Sequence, residues 1–410
     1  DYGLGIALHD DPLGASDEEA VYITGYTKSD DLPKIDGAAQ IYINNYSTQN
    51  TAYTDAFAAK FDMDLSLKRS TYLGGGSIDT GYGIAVHPEE PHDVYVVGRT
   101  SYCVSGNPPW INKGCFPWTA GGGIPAFVGS EDAFVVRLNA NLTASPAPQA
   151  TYYGGAQIDV GQAVAIHPGT GDVYIAGMRT REPEAWDQHA FVAYFNRELT
   201  AFRGDAHLGD STLNRTDRAT DIRIVSGVGI YVMGYTQSQD FDGTAGGALP
   251  TYRGGYSDIF VARFHNNLEL DQATYLGSKG QDETFGHGLA VAEDPSRPGE
   301  WHVFVAGDIY GEGLIGVRDS TAFQPRYKGG SSDVLITRLN ADLKPDPDPD
   351  IEVQPKSLDF GNVSLTGMAI RTLVLENIGG SPLTVSSLAI TGAGAGDYTL
   401  NPPSGASACV

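Results

Sequence analysis

The sequence predicts an all-β protein in which about the first 343 residues repeat one four-stranded unit five times. Composition agrees with the repeat, because 52 glycines, 22 tyrosines and 19% charged residues in a chain of 410 suit many short strands joined by tight turns. This profile favours short strands over long helices.

The first strand of each unit begins at or near an aspartate and continues with apolar residues. Three copies match without a gap, a fourth keeps the spacing, and a fifth, GHGLAV, follows Asp282 with two extra residues. The first four copies are DYGLGIAL at Asp1, DTGYGIAV at Asp79, DVGQAVAI at Asp159 and DRATDIRI at Asp217. Self-similarity of this kind is the signature of a repeat architecture.

Second and third strands follow in the same order in every unit. An aromatic or β-branched run ending in glycine predicts each second strand: VYITG, VYVVG, VYIAG, IYVMG and VFVAG. The predicted third strands are DAFAAKF, DAFVVRL, HAFVAYF, DIFVARF and DVLITRL. A fourth phrase, STYLGG, ATYYGG or ATYLGS, precedes the next aspartate in the units that keep it, and the fifth unit lacks it.

A single four-stranded unit cannot bury both faces of its sheet, so such units stack around an axis until a ring closes. We therefore expect a β-propeller over residues 1–343, with repeats at about 1–78, 79–158, 159–216, 217–281 and 282–343. Five visible copies predict five blades, and six or seven would result if whole blades precede residue 1. We also expect residues upstream of Asp1 to supply the strand that the fifth unit lacks.

The same phrases carry a family resemblance. The ordered set TYLGG, a following aspartate, GIAV, VYVVG and DAFVVRL resembles the SBBP repeat, a family named for a predicted seven-bladed β-propeller. The third copy departs from the pattern through a short middle loop and His189 in place of aspartate. Most members of that family are extracellular or cell-surface bacterial proteins without an assigned reaction, so the resemblance implies location more than chemistry.

A second domain is expected after an Asp/Pro linker at residues 344–350, KPDPDPD, which favours an extended, self-repelling spacer. Residues 351–410 then alternate apolar and polar residues between Gly and Pro turns, as strands of a β-sandwich do. PKSLDFGNV and TLVLENIGGSPLTVSSLAITG are similar to immunoglobulin-like ASH or HYDIN-type domains. A complete domain of that kind needs about 100 residues, so this one is expected to be incomplete.

The charge of the chain argues against two classes of partner. A formal net charge of −24 should repel nucleic acid and anionic lipid heads, so binding to nucleic acid or to a membrane surface is not expected. No stretch approaches the roughly 18 uninterrupted apolar residues of a transmembrane helix, so membrane insertion is not expected either. No GxSxG, HExxH, Walker or GxGxxG context is present, which predicts no enzyme active site.

The repeated aspartates have two readings. Asp79 and Asp159 fall at the turn before a first strand, and Asp132 and Asp258 at the turn before a third strand. Both turns open on one face of a propeller, so the carboxylates are candidates for a Ca²⁺ site, and no other cofactor is expected. The other reading, which we favour, is that each aspartate caps its turn by accepting backbone N–H groups, because turn chemistry repeats in every blade.

The long loops between second and third strands carry candidate recognition residues. A glycan or protein partner would suit aromatic side chains on such loops, although packing of the loops on themselves could equally use them. The candidates are Tyr42, Tyr46, Tyr102, Trp110, Trp118, Tyr252 and Tyr310. Cys103 and Cys115 lie in one of these loops, and we expect a disulfide between them in an oxidising compartment.

Taken together, these features favour a non-enzymatic scaffold and interaction protein that is secreted or attached to a cell surface, and the resemblance implies a bacterial source. Its propeller loops would form a recognition face, and the immunoglobulin-like module would attach it to a filament or other surface assembly. The alternatives are a carbohydrate-binding or carbohydrate-active propeller, which needs paired carboxylates near aromatics in a pocket, and a cation-dependent adhesin.

Overall fold

The computed structural model describes most of the repeat region and parts of the C-terminal segment. The described residues are 1–9, 19–43, 54–101, 115–181, 187–209, 215–278, 280, 282–283, 288–311, 330–344, 351–354, 358–363, 367–377, 389–391 and 395–399.

The repeat region forms five antiparallel sheets of four strands, one from each sequence unit. Sheet 1 contains β1 (Tyr2–His9), β2 (Ala20–Thr27), β3 (Asp55–Phe61) and β4 (Leu67–Leu73). Sheet 2 contains β5 (Asp79–Val86), β6 (Val94–Ser101), β7 (Glu131–Leu138) and β8 (Gln149–Tyr153). Sheet 3 contains β9 (Asp159–Ile166), β10 (Val173–Thr180), β11 (Gln188–Phe195) and β12 (Phe202–Leu208). The prediction of an all-β repeat is confirmed.

Sheet 4 follows the same order, and sheet 5 departs from it. Sheet 4 contains β13 (Asp217–Val225), β14 (Gly229–Thr236), β15 (Asp258–Phe264) and β16 (Leu270–Leu276). Sheet 5 contains β17 (Asp282–Glu283), β18 (Leu289–Glu293), β19 (Trp301–Ile309) and β20 (Asp333–Asn340). Both β17 and β18 pair with β19, so together they occupy the first-strand position. Among the described residues, no strand pairs with the other edge of β20.

The fourth strand of sheet 3 forms without the sequence phrase that marks it elsewhere. Phe202–Leu208 reads FRGDAHL, yet it pairs with β11 from Ala190 to Phe195. Strand formation at a sheet edge depends on pairing with a strand already in place as well as on local pattern, which is why the sequence signal was weak here.

Consecutive sheets pack face to face along the chain, and their first strands contact one another in the order β1, β5, β9, β13 and β18. Four buried apolar clusters result, one between each consecutive pair of sheets. Phe134, Phe191 and Phe260, at equivalent positions of the third strands, are fully buried and face the preceding sheet. Each sheet thus obtains its core from its neighbours.

A tyrosine in the second strand ties each of the first four sheets to the next one. Its hydroxyl donates to a backbone carbonyl in the turn after the next sheet's third strand. The four bonds join Tyr22 to Ala140 O (2.7 Å), Tyr95 to Arg197 O (2.8 Å), Tyr174 to Asn266 O (3.3 Å) and Tyr231 to Ala341 O (2.7 Å). Burial raises the pKa of Tyr231 to about 12, so its hydroxyl keeps the proton that it donates.

The long connections between second and third strands cover the outer edges of sheets 1, 2 and 4. In each sheet a loop N–H donates to a threonine hydroxyl on the fourth strand: Gln40 to Thr71 (2.9 Å), Ile124 to Thr151 (2.8 Å) and Leu249 to Thr274 (2.8 Å). The same loops reach the next sheet, where Ala39, Gly123 and Ala248 donate N–H groups to Leu142 O, Leu199 O and Leu343 O. Covering an edge in this way blocks strand addition there.

The C-terminal segment contains a two-stranded antiparallel sheet, β21 (Ile351–Gln354) with β22 (Val374–Asn377), and a short 3₁₀ helix at Ala395–Asp397. The described residues contain no helix with the length and apolarity needed to span a membrane.

The tyrosine tie yields a stability prediction. Tyr95→Phe removes the donor to Arg197 O from a fully buried site, so the free energy of unfolding should fall by about 1 kcal/mol. Tyr256→Phe is the control, because that side chain is 64% exposed and its change should stay within about 0.5 kcal/mol. Urea unfolding followed by fluorescence measures both, and an equal effect of the two changes would contradict this role of Tyr95.

Candidate functional site

Two rows of carboxyl groups lie at one end of the sheets. First strands start there, second strands finish there, and third strands start there, as the pairing of Asp79 with Thr100 and of Thr100 with Asp132 shows. The same arrangement joins Asp217, Thr236 and Asp258 in sheet 4. We call this the Asp end of the sheets.

The two rows meet as buried pairs at the contacts between sheets. A Cβ atom placed on Gly154 would lie 2.6 Å from Asp132 Oδ1 and 2.8 Å from Asp159 Oδ2. Gly74 has the same position between Asp55 and Asp79. Glycine is therefore required at the end of the fourth strand, because the third-strand carboxyl of one sheet and the first-strand carboxyl of the next enclose it.

These aspartates bind backbone N–H groups of the turns in front of them. In the first-strand row, Asp79 accepts from Gly75 N (2.8 Å), Asp159 from Gly155 N (2.6 Å) and Asp282 from Ser278 N (2.5 Å). In the third-strand row, Asp132 accepts from Val128 N (2.7 Å) and Asp258 from Arg253 N (2.6 Å). Each turn thus gains a hydrogen bond that water cannot supply in a buried position.

Burial and pairing raise the pKa values of these carboxyl groups. Burial, followed by the nearby charge of Asp55, raises the pKa of Asp79 to about 8. Burial raises the pKa of Asp132 to about 7 and that of Asp258 to about 7, with Asp159 and Asp282 as the respective neighbouring charges. Burial also raises the pKa of Asp282. At neutral pH each pair therefore retains a proton on a substantial share of molecules.

The contact between sheets 3 and 4 replaces one carboxyl with an imidazole. A Cβ atom on Gly209 would lie 2.7 Å from Asp217 Oδ2 and 2.8 Å from His189 Nδ1, so His189 takes the position that aspartate holds in the other pairs. Asp217 also accepts from Thr236 Oγ1 (2.5 Å) and Ser238 Oγ (2.8 Å). An Asp–His pair needs no shared proton, because a neutral imidazole tolerates an ionised neighbour.

The pairs can act chemically in two ways. A shared proton relieves the repulsion between two carboxylates, and a bound cation would do the same with oxygen ligands. Oδ1 of Asp132 and Oδ1 of Asp258 are buried and have no hydrogen-bond partner among the described residues, so they are the atoms that such a cation would use. The other oxygen of each residue, Oδ2, accepts the backbone N–H hydrogen bond described above.

The predicted recognition aromatics fall into three groups. Tyr42 and Tyr310 are exposed, at 62% and 36%, and lie at the Asp end. Trp118 and Tyr252 are half-buried and pack against the cores of sheets 2 and 4. Tyr46, Tyr102 and Trp110 lie outside the described residues. Packing of a loop on the core therefore accounts for Trp118 and Tyr252, and recognition stays a prediction for Tyr42 and Tyr310.

Sequence reasoning missed other exposed apolar residues at the Asp end. Ile78 (38%) and Ile158 (38%) directly precede first-strand aspartates, and Val128 (48%) and Tyr256 (64%) lie just before third strands. Ile41 (55%) adjoins Tyr42. Their position in the sequence, close to the repeated aspartates, could have identified them. An apolar side chain does not stabilise a turn by hydrogen bonding, so its presence there suggests another use.

Cys115 is disulfide-bonded, and its expected partner, Cys103, lies outside the described residues. Phe116, the next residue, is buried against Phe134 with ring centroids 4.1 Å apart. The bond therefore fixes the end of the loop where it joins the core of sheet 2.

The opposite end of the sheets carries histidines that cap turns and one mixed cluster. His167 Nδ1 accepts from Gly169 N (3.1 Å) and Thr170 N (3.2 Å) in the turn after β9.

The mixed cluster lies beside the turn before β19. The buried His302 Nε2 lies 3.5 Å from Glu300 and 3.7 Å from Asp294. Arg297 already forms ion pairs with Asp294 at 3.0 Å and with Glu300 at 2.8 Å. A metal ion could therefore use this cluster only after Arg297 moved away.

No protein-family model matches the chain, and no curated protein matches it. Among solved structures, the chain is similar to a protein of unknown function from Dyadobacter fermentans DSM 18053, with a TM-score of 0.41 and 10% identity over 83% of this chain and 80% of that one. It also aligns with Sqt1 from Chaetomium thermophilum, with a TM-score of 0.24 and 11% identity over 75% of this chain and 79% of that one.

The raised pKa values predict a pH effect with a defined sign. A carboxyl whose pKa is higher in the folded state than its ordinary value of 3.8 contributes stability below about pH 4, which is lost as the pH rises through about 8 for Asp79. Asp79→Asn imitates the protonated form, so its gain in free energy of unfolding over the wild type should increase from pH 5 to pH 8.5 by on the order of 1 kcal/mol or more.

Asp64→Asn is the matched control for this measurement, because it removes one negative charge at an exposed turn residue. Thermal unfolding at pH 5, 7 and 8.5 compares both variants with the wild type. A gain from Asp64→Asn as large as that from Asp79→Asn would assign the effect to net charge instead of the buried pair.

The glycine between the carboxyl groups gives a second test. Gly154→Ala should destabilise the protein by about 1–3 kcal/mol, since the new methyl group must displace two buried side chains. Gly3→Ala serves as the control, because a Cβ atom at that strand position meets nothing within 4 Å. If the two variants unfold at the same urea concentration, the space between Asp132 and Asp159 is not filled as described.

Proposed function

We propose that this chain is a non-enzymatic, β-propeller scaffold of an extracellular or cell-surface protein, and that the Asp end of its sheets is a recognition face. The observation that carries this proposal is the group of exposed apolar and aromatic side chains at the Asp end. These residues are Ile41, Tyr42, Ile78, Val128, Ile158, Tyr256 and Tyr310.

The repeated contact between sheets supports a propeller. The same elements recur at each contact: a first strand against the next first strand, a core between the sheets, and a tyrosine hydroxyl on a turn carbonyl. Blades of a propeller pack in this way around a central axis. The resemblance to the SBBP repeat agrees with this architecture.

The buried state of the aspartates supports a scaffold function for the repeated residues. Asp79, Asp132 and Asp258 are at most 1% exposed and bind turn backbone, so folding explains their recurrence. Residues that differ from sheet to sheet remain for recognition, as is usual for loops carried by a rigid framework.

The family resemblance, a disulfide and the net charge bear on the location and the partner. The SBBP resemblance and the disulfide at Cys115 both favour an oxidising, extracellular compartment. We propose that residues 351–410 form the immunoglobulin-like module that attaches the scaffold to a protein filament or surface assembly. The net charge of −24 disfavours nucleic acid and anionic membrane surfaces as partners.

A glycan is the second candidate partner, and the exposed tyrosines favour it. Tyr42, Tyr256 and Tyr310 are all exposed tyrosine residues. A ring of this type offers both an apolar face and a hydroxyl group, which suits a sugar as well as a protein surface.

A binding experiment tests the proposal. The chain is passed over immobilised cell-envelope material that is untreated, protease-treated or periodate-oxidised. A protein partner predicts loss of binding after protease only, and a glycan partner predicts loss after periodate. Tyr42→Ser combined with Tyr256→Ser should weaken binding at least tenfold, since hot-spot aromatics contribute about 2 kcal/mol each.

Met368→Ser is the control, because Met368 is 84% exposed and lies in the C-terminal segment. Loss of binding in this variant alone would assign recognition to that segment and contradict a recognition face at the Asp end. Release of free sugar from the periodate-sensitive material would contradict the non-enzymatic assignment.

A further inference from the structure

Within the part of the chain that the structure describes, the series of sheets has two uncovered ends. We use "front face" for the face of a sheet that is turned toward the next sheet in the chain, and "rear face" for the face turned toward the preceding one. Sheets 1 to 4 bury their front faces and sheets 2 to 5 bury their rear faces in the four clusters between sheets. The rear face of sheet 1 and the front face of sheet 5 have no such neighbour within the described residues.

On the rear face of sheet 1, the exposed first-strand residue is Ile6, at 71%. Its equivalents in the other sheets insert into the front face of the preceding sheet and are buried. They are Ile84 at 7%, Val164 at 7%, Ile222 at 0% and Leu289 at 3%. The position is thus one that the fold uses for contact with a preceding sheet, and in sheet 1 it faces solvent.

A second position on sheet 1 behaves in the same way. Each turn after a third strand places a leucine in the left-handed region, with φ of 59° at Leu65. Leu65 is 68% exposed, whereas its equivalents are buried: Leu142 at 0%, Leu199 at 0%, Leu268 at 7% and Leu343 at 0%. Met63, in the same turn, holds the position whose carbonyl accepts the tyrosine tie in the other sheets and is 50% exposed.

The front face of sheet 5 shows the complementary exposure. Val334 and Ile336 of β20 are 72% and 77% exposed. The corresponding pairs in sheets 1 to 4 are fully buried against the next sheet: Ala56 and Ala58, Ala133 and Val135, Ala190 and Val192, and Ile259 and Val261. Phe304 stands where the other sheets carry the tying tyrosine, and it is 38% exposed.

We propose that the front face of sheet 5 binds the rear face of sheet 1 of a second copy of this chain. The two faces are the two halves of a contact that the chain forms four times internally, so each is shaped for the other. Within one copy they do not cover each other, as the exposure of Ile6, Val334 and Ile336 shows.

Three properties of this contact follow from its chemistry and geometry. Phe304 has no hydroxyl group to donate to Met63 O, so the contact between copies lacks the tie of the inner contacts and is weaker than they are. Each copy carries a net charge of −24, so association should strengthen when salt screens the repulsion. The contact is heterologous, and it produces either a closed ring or an open filament, depending on its angle.

Sedimentation velocity and light scattering of the full chain test the proposal, with free thiols alkylated so that no new disulfide contributes. We expect the mass to rise above 43.5 kDa with protein concentration from about 1 to 100 µM, the range of moderate protein–protein affinity, and to rise further at 500 mM salt. A species that stays at 43.5 kDa throughout overturns the proposal and leaves the faces to further sheets of the same repeat.

Two variants identify the faces. Ile6→Asp damages only the rear face of sheet 1, and Ile336→Asp damages only the front face of sheet 5, so each alone should lower the association constant at least tenfold. An equimolar mixture should form a dimer of one copy of each variant and grow no further, because only one intact front face and one intact rear face remain.

Ser226→Asp is the control, since it adds the same charge at an exposed turn residue of sheet 4 that lies outside both faces and outside the recognition face. It should associate like the wild type. Unchanged thermal unfolding of all three variants shows that they fold. A mixture that remains monomeric while the wild type associates would overturn the pairing of front with rear, as would equal association of Ile336→Asp and wild type.

Discussion

The contact between consecutive sheets supports every other feature of the repeat region. A four-stranded sheet with apolar residues on both faces is unstable in water until another sheet covers each face. The chain meets this requirement with an apolar residue of each first strand, such as Ile84 or Val164, which packs against the front face of the preceding sheet. The cores, the tyrosine ties and the loop positions all depend on that contact, because each is formed by residues of two sheets.

The same contact explains why polar residues recur where burial makes them costly. A pair of carboxyl groups such as Asp132 and Asp159 loses hydration between the sheets. Backbone N–H donors offset part of that loss, and the remaining cost of burying charge raises the pKa of Asp132. At the contact between sheets 3 and 4, His189 takes the place of one carboxyl group, so Asp217 is paired with an imidazole instead of a second carboxyl group. At every contact, hydrogen bonds to these side chains therefore set the geometry of the neighbouring turns. Each sheet is thus held in the same orientation against the sheet before it.

The loops divide into residues that the scaffold uses and residues that it leaves exposed. Gln40, Ile124 and Leu249 bind the fourth strand of their own sheet, and half-buried aromatics such as Trp118 pack on the core beneath. Fixing a loop at these points lowers the entropy lost when its exposed residues bind a partner. A rigid framework with exposed aromatic residues at one end is therefore the physical basis of the proposed recognition face.

The sequence by itself determined the five units, the order of strands and the turn role of the aspartates, because these depend on local periodicity and on short turns. It also indicated the loop aromatics, of which Tyr42 is exposed and Tyr252 is not. Only the tertiary structure decided which side chains are covered, since burial depends on the neighbouring sheet and not on the strand that carries the residue. Ile6 and Ile84 occupy the same position of the same motif, yet they are 71% and 7% exposed, because sheet 1 covers Ile84 and no sheet among the described residues covers Ile6.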